Sequence, residues 1–390
     1  MRNGVSRLRR VTAKASTPLV CLGIDASRYA HNEATGVEWY SFQIINNLIK
    51  KVFNSKKNKI ILYFRDKPQF PPEVQKLINL NRKCIQLKII KAKRLWTILG
   101  LSKELKKNPV DVLFVPSHVL PLVLPKKSVI MIHDTAFMHL KKSYSWTAYK
   151  YLEWSTKFAV KNASKIIVPS NSTKQDLISL FNCPKNKIAV IPHGFDIVKF
   201  DKNDILEYLE KWQDFKYILF IGRLESKKNL VRLVKAFKIF SKSYPRYKLV
   251  LAGKKGNGFD EIFKTIVKLK LIDKVIIPGY INEKEKAALM MCCKMFAFPS
   301  LYEGFGFPIL ESFYFGKPVL TSNISSMTEV AGKAALYVNP YDVKNISDGL
   351  TKIIKDNKYQ KELVGKGKRQ LKKFSWSSAT KKLFKILTDG

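Results

Sequence analysis

The sequence contains little cysteine and no long uninterrupted apolar run. Its five cysteines are odd in number and form no Cys-x-x-Cys pair, which indicates free thiols in a reducing compartment. No run reaches the roughly 18 apolar residues of a membrane-spanning helix. The most apolar stretch, 110–124, is interrupted by Asp111, Pro116, His118 and Pro121. An Asp-x-Asp motif, a common way to hold a divalent metal, is also missing.

Positive charge is what the sequence has in excess. Of 390 residues, 71 are Lys or Arg and 30 are Asp or Glu, so the formal charge is +41. A hydrophobic content of 46% excludes a disordered basic chain, and the length suggests about two domains. The charge predicts anionic partners, with the basic segment Lys50–Lys107 as a candidate electropositive face. The basic residues before Thr17 are interpreted as a tail that leads into the first strand, not as a signal peptide.

Strand-like apolar runs alternate with amphipathic helical patterns along the whole chain. This alternation predicts parallel α/β sheets that are covered on both faces. The pattern becomes polar and irregular after Asp196 and restarts near Tyr217, so we predict one domain over 1–196 and a second over 197–374. The predicted strands are Leu19–Ile24, Ile60–Phe64, Ile85–Ile90, Val110–Val115, Val129–Ile132, Ile166–Val168, Ile188–Ile191, Tyr217–Ile221, Lys248–Leu251, Val275–Ile277, Met295–Pro299 and Val319–Thr321.

The most informative motif is FPSLYEGFGFPILESFYFGKPV at Phe298–Val319. It predicts a strand, a glycine-containing loop and a helix with Pro308 in its first turn and Gly316 at its end. Gly304 and Gly306 would let the backbone approach a ligand closely. The N–H groups at the start of the helix would attract an anion. The segment therefore predicts a phosphate cradle.

Two carboxylates accompany this cradle. Glu303 lies in the loop and Glu311 lies about one turn into the helix. Carboxylates would repel a phosphate, but each can accept two hydrogen bonds from a vicinal diol. We therefore predict that they bind the hydroxyl groups of a sugar or a ribose.

Three further motifs follow predicted strands or open helices. In FIGRLESKKN, Arg223 and Lys228 flank a strand-to-helix turn, where they could hold a diphosphate. In HDTAF, His133 and Asp134 end a strand of the first domain. In EATGV, Gly36 opens the first helix.

Each candidate site residue also has a purely structural interpretation. Arg223 and Lys228 could be solvated residues, although positive charge at a helix start opposes the helix dipole. Glu311 could be a surface residue and His133 a buried core histidine. For His118 and His31 we favour structural roles. The aromatic helix 144–158 is expected to pack in the core, with a membrane interface as the alternative because lysines flank its aromatics.

Taken in order, these motifs resemble the retaining glycosyltransferases of family 4, which have the GT-B architecture. The segments GIDASR, TGVEWY, IHDTAF and ASKIIVPSNSTKQDL resemble the mannosyltransferase-like branch that builds bacterial surface polysaccharides. The match runs from about residue 19 to about residue 338. The resemblance implies two doubly wound Rossmann-like domains with a cleft between them, and a last helix at about 375–390 that packs back on the first domain.

The resemblance also implies roles for individual residues. Glu311 would bind ribose hydroxyls, Glu303 would bind the donor sugar, and His133 would contact that sugar. The implied catalytic set is His133, Glu303, Arg223 and Lys228. The implied donor-binding set is Gly36, Gly222, Arg223, Lys228, Glu303, Gly304, Phe305, Gly306, Phe307 and Glu311. No metal is expected, so Arg223, Lys228 and helix dipoles would stabilise the leaving diphosphate.

The sequence departs from the family pattern at three places. The first-domain loop is Thr35-Gly36, where a Gly-Gly pair is usual, and Glu38 and Trp39 follow where relatives carry Arg. His193 stands where Asn is common. These departures concern the fine placement of the phosphate loop, not the reaction class.

We therefore predict a cytoplasmic, metal-independent retaining hexosyltransferase. Its donor would be a GDP- or UDP-linked sugar, with mannose as the first candidate. Its acceptor would be a saccharide or a lipid-linked saccharide, and an anionic membrane surface is a further candidate partner. The alternatives are another GT-B enzyme, such as a nucleotide-sugar epimerase, and a basic nucleic-acid-binding protein. The sequence lacks the RRM-like or OB-like patterns that nucleic-acid binding would favour.

Overall fold

The computed structural model of the chain describes residues 20–30, 35–55, 58–92, 94–197 and 200–389. The basic N-terminal tail and His31 lie outside these ranges, so the interpretations of both stay predictions. The described residues form two parallel β-sheets, each covered by helices on both faces. This arrangement confirms the predicted fold class.

The first sheet has seven parallel strands in the order β3-β2-β1-β4-β5-β6-β7. Its inner strands are short apolar runs that are buried because helices cover both faces, whereas Leu87 and Ile89 of the edge strand are exposed. They are β1 (Cys21–Asp25), β2 (Lys59–Phe64), β3 (Ile85–Ile89), β4 (Val112–Val115), β5 (Lys127–Met131), β6 (Lys165–Val168) and β7 (Ile188–Val190). The register places Asp25 beside Tyr63 and Ile24 beside Phe114.

The second sheet has six parallel strands in the order β10-β9-β8-β11-β12-β13. They are β8 (Lys216–Ile221), β9 (Tyr247–Ala252), β10 (Val275–Gly279), β11 (Met295–Phe298), β12 (Val319–Ser322) and β13 (Ala335–Val338). In both sheets the order of the strands reverses direction between two neighbouring strands, β1 and β4 in the first sheet and β8 and β11 in the second. Ligands bind at such a reversal, outside the carboxyl ends of the strands. The two expected binding edges are therefore β1/β4 and β8/β11.

Fifteen α-helices lie within the described ranges. They are α1 (Gly36–Ser55), α2 (Pro72–Leu80), α3 (Ser102–Lys107), α4 (Ala136–His139), α5 (Trp146–Asn162), α6 (Asn171–Phe181), α7 (Leu206–Gln213), α8 (Leu230–Ser243), α9 (Phe259–Lys268), α10 (Glu283–Cys292), α11 (Phe307–Tyr314), α12 (Met327–Ala331), α13 (Val343–Lys355), α14 (Asn357–Leu371) and α15 (Trp376–Thr388). None of these helices is long and apolar enough to cross a bilayer.

Helix α15 follows the second sheet in the sequence but packs against the helices of the first sheet. Trp376, Leu383 and Leu387 of α15 belong to the same buried cluster as Tyr40 of α1. The linker between the sheets passes beside the start of α15, where a Cβ on Gly194 would lie 2.2 Å from the Trp376 nitrogen. The two stretches of chain that connect the sheets therefore run side by side.

Candidate active site

Loops at the carboxyl ends of the two sheets contact each other directly. Gly304 follows β11 and lies against the loop after β5, where a Cβ on Gly304 would be 1.8 Å from the His133 carbonyl oxygen. The Ser170 hydroxyl after β6 donates to the Gly304 carbonyl at 2.9 Å. The Tyr302 hydroxyl lies 2.8 Å from the Thr135 hydroxyl. The cleft is thus closed, and predicted site residues of both halves meet.

A buried ion pair occupies the β8/β11 edge of the second sheet. The Lys228 amine donates to Oε1 of Glu303 at 2.5 Å, and the two side chains are 12% and 11% exposed. The structure thus brings together two residues that the sequence placed in separate motifs. A lysine and a carboxylate at one point can serve a phosphate and a sugar hydroxyl side by side.

Asn229 fixes the turn that carries Lys228. It follows the single 3₁₀ turn Ser226–Lys228 and adopts a left-handed conformation with φ of 61°. Its side-chain amide donates to the carbonyls of Pro299 and Pro340, at 3.1 and 2.6 Å. Sequence reasoning did not select Asn229, although Asn directly before a helix is one of the few residues that adopt this conformation readily.

Lys227 is a second residue that sequence reasoning passed over. Its side chain is one-fifth exposed, and its nitrogen lies 3.6 Å from Oε1 of Glu225. Burial disfavours the charged amine, but the carboxylates of Asp134 and Glu303 outweigh burial and raise the pKa of Lys227. Burial raises the pKa of Asp134, but Lys227, His118 and the hydrogen bond from the Ala136 amide together outweigh burial, so the pKa is lowered overall. Lys227 therefore interacts electrostatically with a carboxylate of each half, Asp134 of the first and Glu303 of the second.

Glu311 also pairs with a lysine. Its Oε1 accepts from the Lys286 amine of α10 at 2.7 Å, and Lys286 contacts Glu283 at 2.8 Å as well. Burial disfavours the charge of Lys286, but Glu311 and Glu283 outweigh it and raise the Lys286 pKa. The predicted ribose-binding carboxylate is thus held in place by a partner that the motif does not contain. Within the described ranges, no three His, Cys, Asp or Glu side chains could together hold a metal ion.

Free amide groups lie at the start of α11. Gly306 has a φ of 112°, which only glycine adopts readily, and precedes the helix. The amides of Gly304, Phe305 and Gly306 donate to no other described group, whereas the Phe305 carbonyl accepts from the Ser326 hydroxyl at 2.8 Å. These N–H groups are available for an anion, and the phosphate cradle itself stays a prediction.

His133 is neutral in this site. Its Nε2 lies 2.9 Å from the Pro116 carbonyl oxygen, so Nε2 carries the proton and Nδ1 is the acceptor. Burial, helped by His118, lowers the pKa of His133 to about 3. A neutral imidazole can accept a hydrogen bond from a sugar hydroxyl, but it is not a cation for the leaving group.

Two further histidines surround His133. The ring centroids of His118 and His193 lie 5.3 and 5.5 Å from that of His133. His193 comes from the linker and stacks on Phe307 at 5.2 Å. Burial lowers the pKa of both neighbours, and Nδ1 of His193 is buried without a hydrogen-bond partner among the described residues. Phe305 packs on His193 at 4.7 Å, so its side chain belongs to this aromatic cluster.

The first-domain loop approaches the second domain at Gly36. A Cβ on Gly36 would lie 3.9 Å from the Phe307 ring. Glu38 accepts hydrogen bonds from the Thr35 amide and hydroxyl, each at 2.8 Å, so its side chain supplies one half of a capping box at the start of α1. The acidic residue that departs from the family pattern therefore stabilises the helix start.

Arg223 is exposed at the end of β8. Its aliphatic stem packs on Gly256, and the preceding Gly222 has a φ of 150°. Among the described residues, its guanidinium makes no hydrogen bond or ion pair with Lys228, Glu303 or any other group. The structure thus brings Lys228 and Glu303 together but leaves Arg223 apart from them.

Comparisons with known proteins agree with this geometry. A family model for glycosyl transferases group 1 matches residues 201–370, and one for glycosyltransferase family 4 matches residues 34–199. O-antigen chain mannosyltransferase B of Escherichia coli is 29% identical over 272 residues, which cover 68% of this chain and 71% of that protein. Serotype-specific mannosyltransferase WbdA of Escherichia coli is 28% identical over 264 residues, 65% of this chain. The alignment covers only 32% of WbdA.

Solved structures share the fold at low sequence identity. Sucrose-phosphate synthase from Thermosynechococcus elongatus has a TM-score of 0.73 at 16% identity, covering 94% of this chain and 98% of that one. WaaG, a glycosyltransferase involved in lipopolysaccharide biosynthesis, has a TM-score of 0.70 at 14% identity, covering 95% and 100%. Anabaena HepE in complex with UDP-glucose has a TM-score of 0.70 at 16% identity, covering 95% and 99%. The two family matches and the shared fold show that the chain joins a glycosyltransferase family 4 domain to a glycosyl transferases group 1 domain in the GT-B architecture.

Proposed function

We propose that this chain is a retaining hexosyltransferase that moves mannose from GDP-mannose to a saccharide carried by a lipid. The observation that carries the proposal is the buried Lys228–Glu303 pair at the β8/β11 edge, which closes against the loop of His133. The similar Escherichia coli proteins are named mannosyltransferases, which supports mannose as the sugar.

The leaving group is a nucleoside diphosphate, and charge is the means to stabilise it. Lys228 and Lys227 carry positive charge at the closed cleft, and Arg223 stands exposed at the same edge. The free amides before α11 add a partial positive charge. We propose that these groups act without a divalent metal, so a chelator should leave the transfer rate unchanged.

The reaction exchanges one bond at the anomeric carbon. The bond from that carbon to the phosphate oxygen breaks, and a bond to the acceptor hydroxyl oxygen forms on the same face. The hydroxyl proton passes to the departing phosphate, so no protein nucleophile is needed. Glu303 and neutral His133 orient the sugar by accepting hydrogen bonds from its hydroxyl groups.

Nucleotide binding tests the site. Glu311→Ala and Lys228→Ala should each weaken GDP binding by roughly 1.5–3 kcal/mol, because each removes a charge-assisted contact. Lys264→Ala, on the exposed face of α9, is the matched control and should leave the affinity unchanged. Calorimetry measures all three, and intact affinity in both site variants would falsify the assignment.

Product analysis tests the reaction. Mass spectrometry separates sugar transfer from isomerisation of the donor, and NMR of the product reports the anomeric configuration. An epimerised donor with no transfer, or an inverted product, would contradict the proposal. A thermal-shift screen with GDP, UDP and ADP sugars identifies the base.

The enzyme is proposed to work on the inner face of the cell membrane. Trp146 of α5 is 74% exposed, and Tyr151 and Trp154 on the same helix are also exposed. Lys150 and Lys157 lie on that helix beside them. Aromatics flanked by lysines suit an anionic bilayer surface. Flotation with anionic but not neutral vesicles is expected, and its absence would contradict the location.

A further inference from the structure

Two arginines follow adjacent strands at the carboxyl edge of the first sheet. Arg28 lies in the turn after β1, and Arg65 directly follows β2. Asp25 and Tyr63 are paired at the ends of these strands, and the Ala26 amide donates to the Tyr63 carbonyl. Both arginines therefore lie on one rim, beside the β1/β4 edge where a ligand of the first domain would bind.

An irregular segment builds the wall beside Arg65. A π-helical turn, Trp96–Leu101, follows a leucine with a positive φ of 50°. The Thr97 hydroxyl of this turn donates to the buried Asp25 carboxylate at 3.0 Å. The Arg65 guanidinium lies 5.8 Å from the centre of the Trp96 ring. Such irregular turns and unusual φ values concentrate at functional sites.

A tyrosine and a histidine lie close to the same arginines. Burial raises the pKa of Tyr151, and both Arg28 and Arg65 lower it, so both cations act on its phenol group. Burial lowers the pKa of His118, and Arg28 is among the charges that act on it. His118 is in turn 5.3 Å from His133. These residues connect the arginine rim to the donor site.

The two guanidinium groups have few protein partners. Arg28 lies 3.7 Å from Glu38, whose other oxygen already accepts from Thr35, and half of the Arg28 side chain is exposed. For Arg65, the ring of Trp96 is the contact seen among the described residues. Neither guanidinium donates a hydrogen bond to another described residue, so both can bind an oxyanion, which guanidinium groups do through paired hydrogen bonds.

We propose that Arg28 and Arg65 form a subsite for an anionic group of the acceptor. The inference rests on the proposed transfer reaction and adds the class of acceptor. With the anion on this rim, the acceptor hydroxyl reaches the donor sugar past His118 and His133. The anion is a phosphate or a carboxylate, from either a lipid diphosphate or a charged saccharide.

The test uses protein already saturated with nucleotide, so that the donor diphosphate site is filled. Farnesyl diphosphate is the lipid probe, glucose 6-phosphate the saccharide probe and farnesol the neutral control. Calorimetry should detect binding of an anionic probe to the wild type. Arg28→Gln and Arg65→Gln should each weaken it tenfold or more, roughly the worth of a charge-assisted contact.

The control variant is Arg82→Gln, which removes a charge at the opposite edge of the same sheet. It should leave probe binding unchanged, and nucleotide affinity should stay unchanged in all three variants. Arginine-dependent binding of farnesyl diphosphate supports a lipid diphosphate, and the same dependence for glucose 6-phosphate alone supports a charged saccharide. Equal binding in wild type and variants, or no binding of either anion, overturns the subsite. If the proposed function itself were wrong, the wild type would bind no nucleotide, and this result differs from every outcome that concerns the subsite alone.

Discussion

Gly304→Ala would separate domain closure from nucleotide binding. Gly304 lies where the two halves touch, and its added methyl group would lie 1.8 Å from the His133 carbonyl oxygen. An ordinary carbon–oxygen contact is about 3.3 Å, so the halves must move apart by roughly 1.5 Å at this point. The neighbouring Asp134 Cβ, at 2.8 Å, blocks a sideways adjustment.

We expect Gly304→Ala to lower the rate of sugar transfer. A misplacement of about 1 Å between reacting groups lowers a rate by roughly 100-fold, so the transfer rate constant should fall by about that factor. Nucleotide affinity should change little, because Lys228 and Glu311 both belong to the second domain. Gly365→Ala in α14 is the matched control, since its methyl group would lie 3.9 Å from the nearest atom, on Arg369.

The assay pairs single-turnover transfer kinetics with calorimetry of nucleotide binding. The control should match or slightly exceed the wild type in stability, because Ala favours a helix over Gly by about 1 kcal/mol. If Gly304→Ala transferred sugar within a factor of two of the wild-type rate, closure at this contact would not be required. The closed cleft would then not be the reactive state.

Three further outcomes follow from the site. Lys227→Met should weaken nucleoside diphosphate binding about tenfold but leave nucleoside binding intact, as measured by calorimetry. Tyr302→Phe removes a hydroxyl that bonds across the cleft and should lower the free energy of unfolding by about 1 kcal/mol in a denaturant titration. Burial holds the pKa of His133 at about 3 and that of His193 well below its usual value. Because these values lie below the roughly 6.5 of the unfolded chain, stability is complete above pH 6.5 and falls as the pH drops towards 3. Each histidine contributes up to about 1.4 kcal/mol per pH unit to the loss of unfolding free energy. His193→Asn removes one of these contributions, so between pH 6 and 5 the variant should lose about 1.4 kcal/mol less stability than the wild type.

Most of the fold could be predicted from the sequence because buried parallel strands are continuous apolar runs. All strands of the first sheet were predicted within two residues of their ends. The strand Ala335–Val338 was missed, since four residues with no polar alternation give little signal.

The candidate site was less predictable because its partners are distant in sequence. Lys228 and Glu303 lie in motifs, and Lys227 precedes Lys228 in FIGRLESKKN, but the sequence does not distinguish Lys227 or Lys286 from the other basic residues of a chain with 71 Lys and Arg. Only the fold shows that Lys286 is buried against Glu311, 25 residues away. The roles assigned to these residues stay predictions until variants are measured.

The position of α15 has a consequence for biosynthesis. Its apolar side completes the buried cluster around α1, so the packing of the first sheet needs residues that are made after the second sheet. Domains of a growing chain usually fold in order, the N-terminal one first. Here the second sheet is complete before Trp376 leaves the ribosome. At that point α1 of the first sheet still lacks α15, the helix that packs against it. We expect a chain truncated before Ser375 to expose the apolar face of α1 and aggregate, even though every strand is present.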